Sequence, residues 1–173
     1  MFDKIFEILA QLWGHFVPIE VIKQYEKGVR LRFGKLKDPD MNPGLHFKIP
    51  FVDEIVRVVV TVDTLEINPI TITTTDNITV IIGAVLEFEI NNINKYIIET
   101  NEARSNAHDI CRGIMADYLT DRTWIECKDK KTIRTIIKLL TKKFEEMGIK
   151  VISLIFTDMC VTRSYKLFEE KRI

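Results

Sequence analysis

The sequence predicts an α+β fold: a mostly antiparallel β-sheet, then helices, then a returning strand, preceded by an N-terminal amphipathic helix. Three observations predict it. From Val21 to Ile90 apolar residues alternate with a period of two, as in strands with one face turned inward. From Asn94 to Met147 the apolar spacing becomes three and four, as on amphipathic helices. Ile149 to Met159 then reads as a strand again. The expected division is an anchor helix over residues 1–18, a domain over 19–160 and the opening of a further helix over 161–173.

In the first seventeen residues, Phe2, Ile5, Phe6, Leu9, Leu12, Trp13 and Phe16 recur at helical spacing on one stripe. Asp3, Lys4, Glu7 and Gln11 fall mostly off it, and Pro18 marks the end. Such a helix reaches only about 25 Å, against a hydrocarbon core of about 30 Å. Asp3, Lys4 and Glu7 leave an uncharged run only from Ile8 to Val17, too short to cross. No small-residue cleavage site follows before Pro18. The segment therefore reads as an interfacial helix, with those seven side chains as the membrane-binding residues. Each one withdrawn from water contributes about 1.5–3 kcal/mol before ordering costs. The alternative is that the stripe packs on the domain's own core or docks in a partner protein's groove.

The strands follow in order. VIKQY and VRLRFG flank Glu26-Lys27-Gly28 and are expected to form a hairpin. Pro39, Pro43 and Gly44 punctuate a loop, LHFKI is a short strand, and Pro50 ends it. IVRVVVTVDTLEI places Val56, Val58, Val60 and Val62 on one face, expected to be buried. ITITT and ITVIIGAVLEFEI flank the turn Thr75-Asp76-Asn77. Short turns between consecutive strands imply antiparallel pairing.

Asn94 to Thr100 is expected to form a short helix. Glu102 to Leu119 puts Ala103, Ala107, Ile110, Cys111, Ile114 and Tyr118 on one stripe. Asp129 to Met147 puts Ile133, Ile136, Ile137, Leu140, Phe144 and Met147 on another, and Gly148 is its stop. Ser164 to Ile173 opens a further helix with Ser164 as N-cap.

Composition narrows the function. Twenty-five Lys+Arg against 25 Asp+Glu in 173 residues give a net charge of +0, without the field of a general nucleic-acid binder. Cys111, Cys127 and Cys160 form no CxxC pair and read as reduced thiols. His108 and Cys111 share a helical face, a weak zinc candidate without a second pair. Phosphate-loop, nucleophile-elbow and HExxH motifs are missing. Glu87 and Glu89 read as a solvated strand face rather than an acid/base dyad. Lys128, Lys130, Lys131, Lys138, Lys142 and Lys143 read as a solvated basic helix face, with anionic headgroups as the alternative. The sequence points to no catalysis, cofactor or metal.

Three segments carry a resemblance. Gln24-Tyr25-Glu26-Lys27-Gly28-Val29-Arg30-Leu31-Arg32-Phe33-Gly34-Lys35 is similar to the opening hairpin of the SPFH or band 7 family of stomatins, prohibitins and flotillins. Pro43-Gly44-Leu45-His46-Phe47-Lys48-Ile49-Pro50-Phe51 resembles its PGLHFxIPF stretch, and Thr73-Thr74-Thr75-Asp76-Asn77-Ile78-Thr79-Val80 its hairpin turn. Cys111-Arg112, Met147-Gly148-Ile149-Lys150-Val151 and Asp158 are fainter echoes. Gly28 and Gly34 are expected at tight turns that need permissive dihedrals. The resemblance implies a non-enzymatic scaffold on the cytoplasmic side of a membrane. Lipids, copies of itself and client membrane proteins such as proteases or channels would be its partners. Family members continue into a long coiled coil. For this sequence the expectation is side-by-side domain contacts, or modulation of a longer relative.

Overall fold

The structure, a computed structural model, describes residues 18–99 and 102–162. The amphipathic segment before Pro18 and the helix expected from Ser164 lie outside the described residues. Eight strands run as β1 (Ile19–Ile22), β2 (Glu26–Arg32), β3 (Lys35–Met41), β4 (Gly44–Phe47), β5 (Asp53–Val59), β6 (Asp63–Thr73), β7 (Thr79–Ile90) and β8 (Ile149–Val161). Between β7 and β8 come a π-helical turn (Lys95–Glu99) and the helices α1 (Ala103–Thr120), α2 (Trp124–Cys127) and α3 (Lys130–Glu145). The α+β class read from the sequence is the one observed.

The chain divides into two compact units. One takes the chain through Val62, then Glu89–Asn101 and Met147–Ile149; the other takes Asp63–Phe88, Glu102–Glu146 and the chain from Lys150. The first unit holds a two-stranded ribbon, β1 with β4, and a three-stranded sheet in the order β3-β2-β5. All of these pairings are antiparallel. Ile22, Val29, Met41 and Ile93 are buried there.

This unit departs from the expected local pairing. β1 pairs with β4, not with β2. The tight turn is at Lys23, whose carbonyl accepts from the Glu26 N–H at 3.0 Å, and Glu26-Lys27-Gly28 begins β2. Gly28 is therefore not a turn glycine. A Cβ on it would lie 2.6 Å from Ile22 Cδ1, so the space above it is taken by the tip of the Ile22 side chain from β1. The loop expected around Pro39 is strand β3, at the sheet edge. Register shifts relative to β2 accompany it, which is where a strand tolerates a residue without an N–H. The run from Ile55 to Ile67 is broken at Val60-Thr61-Val62 into β5 and β6. Val56 and Val58 are half-buried and Val62 is exposed, so its valine face is not a buried one.

The second unit has the sheet β6-β7-β8 with α1 packed on β6 and α3 on α1. The β6–β7 hairpin has the expected turn, with Asn77 at φ 61. Leu65, Ile67, Ile70 and Ile72 are buried on β6. The step of three between Ile67 and Ile70 is absorbed by a register shift at Asn68-Pro69, a bulge that keeps both apolar pairs facing inward. On the helices the most buried residues are Ala107, Cys111, Met115 and Leu119, then Ile136, Leu140 and Phe144. Ile110, Ile114, Tyr118, Ile133 and Ile137 flank that seam half-buried. α2, unpredicted, is held by a capping box between Thr123 and Glu126.

Candidate functional site

Among the described residues, the first unit carries its phenylalanines, Phe33, Phe47 and Phe51, exposed. In the β1–β4 ribbon Ile19 faces Phe47 and Val21 faces Leu45 across the strands. Alternation puts these four on one side and Glu20, Ile22 and His46 on the other. Ile22 is buried, while Ile19, Val21, Leu45 and Phe47 are all exposed. The ribbon thus turns one polar-and-buried face inward and one wholly apolar face to solvent.

Two turns add aromatic tips. Phe33 joins β2 to β3, and Phe51 lies between β4 and β5. The Phe33 N–H donates to the Val52 carbonyl at 2.9 Å, tying the two turns together. Phe33 is 77% and Phe51 72% exposed, at φ 49 and φ 64. A bulky residue in the left-handed region costs about 1–2 kcal/mol, where Gly or Asn would sit with little strain. Neither phenylalanine is thus explained by its turn or by a core. Gly34, at φ +72, does take the turn role the sequence assigned to it.

Between the tips lies a cleft of about 600 Å³ lined in part by Glu20, Lys48, Pro50 and Asp53. Paired charges hold it. Arg32 donates to both Asp53 oxygens, at 2.7 and 3.0 Å, and the Ile49 N–H donates to the same carboxylate at 3.0 Å. The Arg32 guanidinium, helped by that N–H, pulls the Asp53 carboxyl down to about 2. Lys48 donates to Glu20 at 2.8 Å, and Arg57 reaches the same carboxylate at 3.3 Å. Asp53 and Glu20 are thus each held by cations, while Glu54, exposed, also lines the cleft.

Residues singled out for chemistry are otherwise occupied. The Asn68 N–H, at the β6 bulge, donates to His108 Nε2 at 3.3 Å. Nε2 is therefore the acceptor nitrogen, and Nδ1 faces Asp109 at 3.1 Å. Burial pushes the Cys111 thiol up to about 12, unfit for a ligand thiolate. Among the described residues no group of three His, Cys, Asp or Glu could hold a metal. Glu87 is half-buried and accepts from Ser153 Oγ at 2.6 Å, so it braces β7 to β8 rather than forming a solvated face.

The predicted membrane-binding residues Phe2, Ile5, Phe6, Leu9, Leu12, Trp13 and Phe16 lie outside the described residues. Sequence reasoning missed Val21, Leu45, Phe47, Phe33 and Phe51 as an exposed set. The available signal was Phe33-Gly34 and Pro50-Phe51, where a large aromatic sits among turn formers. Among the described residues no helix is long and apolar enough to cross a membrane.

Comparison with known proteins adds ancestry. The family model described as SPFH domain / Band 7 family matches residues 20–166. The chain is 28% identical to stomatin-4 of Caenorhabditis elegans over 112 residues, 64% of this chain and 40% of that protein. It is 29% identical to the modulator of FtsH protease HflC of Escherichia coli over 91 residues, 49% of this chain and 27% of that one. Mechanosensory protein 2 of C. elegans matches at 27% over 136 residues, 77% of this chain and 28% of that protein. The chain thus spans less than half the length of each of these three relatives. With the family match covering most of its length, over the strands and helices described above, this chain belongs to the SPFH domain / Band 7 family.

Proposed function

We propose that this chain is a membrane-associated scaffold. Residues 1–18 lie in the interface as an amphipathic anchor, and the domain over 19–160 stands on the cytoplasmic face. There it gathers copies of itself and client membrane proteins such as proteases or channels. The reading assigns it no reaction and no cofactor. The observation that carries it is the outward apolar face of the β1–β4 ribbon together with the strained aromatic tips Phe33 and Phe51. These belong to the unit whose first strand follows directly on the amphipathic segment. Apolar side chains in such number at the mouth of an interfacial helix suit a lipid boundary. The names of two relatives, a modulator of a protease and a mechanosensory protein, support a regulatory role.

Liposome flotation tests the reading. The full chain is expected to rise with vesicles, the chain lacking residues 1–17 to rise far less, and F33S/F47S/F51S to fall between. A full chain that stays at the bottom as completely as the truncated one overturns the anchor. Retention in a detergent-free soluble fraction, bound to a partner protein, favours docking of the N-terminal stripe in that partner instead.

A further inference from the structure

The second unit has a surface that membrane attachment does not use. A groove of about 290 Å³ lies between α1 and α3. Ile114 and Tyr118 from α1 and Leu139 from α3 supply its apolar lining, with Asp117, Lys142, Lys143 and Glu146 around them. Leu139 is 43% exposed although its neighbour Leu140 is fully buried. The core seam of α3 runs through Ile136, Leu140 and Phe144, so Leu139 points away from it into the groove.

Beside the groove α3 carries a row of cations. Lys131, Lys138 and Lys142 are spaced seven and four apart, which places them within about 40° of one another around the helix, over about 17 Å. All three are exposed, and none pairs with a carboxylate among the described residues. In a chain of net charge +0 this is a local field of one sign. By contrast Lys143 already holds Glu146, at 2.6 Å.

The combination selects a class of partner. A cleft walled by two helices, with room for a large apolar side chain and a row of cations along one wall, fits an amphipathic helix with carboxylates on one flank. A bilayer is flat and has no use for a cleft, whereas a helix seated in one can turn its carboxylates to the Lys138 and Lys142 wall and away from Asp117. We infer that the α1–α3 groove docks an acidic amphipathic segment of a partner protein. One large apolar side chain of that segment seats against Ile114, Tyr118 and Leu139, and its carboxylates lie on Lys138 and Lys142. This site stands whether or not residues 1–17 enter lipid.

Fluorescence anisotropy on the full chain in detergent tests it. The probe is a labelled helical peptide of Glu and Ala with a single Phe, compared with the same peptide carrying Ser in place of Phe. The Phe peptide is expected to bind about tenfold more tightly than the Ser peptide. K138E/K142E should weaken it by about tenfold with the melting temperature unchanged. L139S should erase the preference for Phe, and K35E/K37E, on β3, should change neither. Absence of binding, equal affinity for the two peptides, or an equal loss in K35E/K37E overturns the site. So does flotation with phosphatidylserine vesicles that depends on Lys138 and Lys142 while the peptide fails to bind.

Discussion

A Cβ placed on Gly148 would lie 2.2 Å from the carbonyl oxygen of Asn92. The approach is fixed from both sides, because the Asn91 and Asn92 N–H groups donate to the Gly148 carbonyl at 2.9 and 3.0 Å. Gly148 also sits at φ +73. Gly148→Ala therefore meets a backbone clash on top of left-handed strain, and should cost about 3 kcal/mol or more. Equilibrium urea unfolding checks this. A loss within about 0.5 kcal/mol, the range of a neutral surface change, would mean that the Asn91–Asn92 segment yields freely.

Phe33 and Phe51 offer the opposite sign. Asn tolerates positive φ better than Phe, so F33N/F51N should stabilise the chain by about 1 kcal/mol. The same variant should float less well with liposomes, since it loses both aromatic tips. A gain in melting temperature with a loss in flotation is the expected pair of results. A fall in both would mean that the rings are packed for stability.

The Arg32–Asp53 pair sets an acid response. The folded carboxyl of Asp53 lies at about 2, below its ordinary value of 3.8. A depressed carboxyl adds stability above the unfolded value and loses it as pH falls towards the folded one. The contribution should thus be intact at neutral pH and disappear between about pH 4 and pH 2. Asp53→Asn should lower the urea midpoint at pH 7, and its deficit against the parent should shrink across that window. A deficit that is constant with pH would assign the loss to packing.

In the second unit Phe144 is fully buried on the seam of α3. Phe144→Ala should cost about 3–5 kcal/mol. Ile125, 80% exposed on α2, should tolerate alanine within about 0.5 kcal/mol. Thermal melts of the two variants test whether the helical layer is organised as described.

The parts of the fold that local rules govern were legible. The β6–β7 hairpin follows from unbroken alternation in Ile78–Ile90 and from Asp76-Asn77 at its tip. α1 and α3 follow from their apolar stripes, though the seam lies one step over, on Met115 and Leu119, because α1 rests against β6 as well as α3. Illegible parts depend on distant neighbours. Nothing near Ile19 says that its partner is Phe47, and nothing near Gly28 says that Ile22 lies above it. Pro39 argues against a strand until the strand is known to be an edge. The outward ribbon face was hidden for the same reason: alternation shows that a strand has two sides but not which one the rest of the unit covers.

The order in which the two units use the chain constrains how it is made. The first unit takes its last pieces from Glu89–Asn101 and Met147–Ile149, after most of the second has been spelled out. A ribosome cannot release it finished and then begin the other. Until residue 149 has emerged from the exit tunnel, the first unit still lacks one of the segments that complete it.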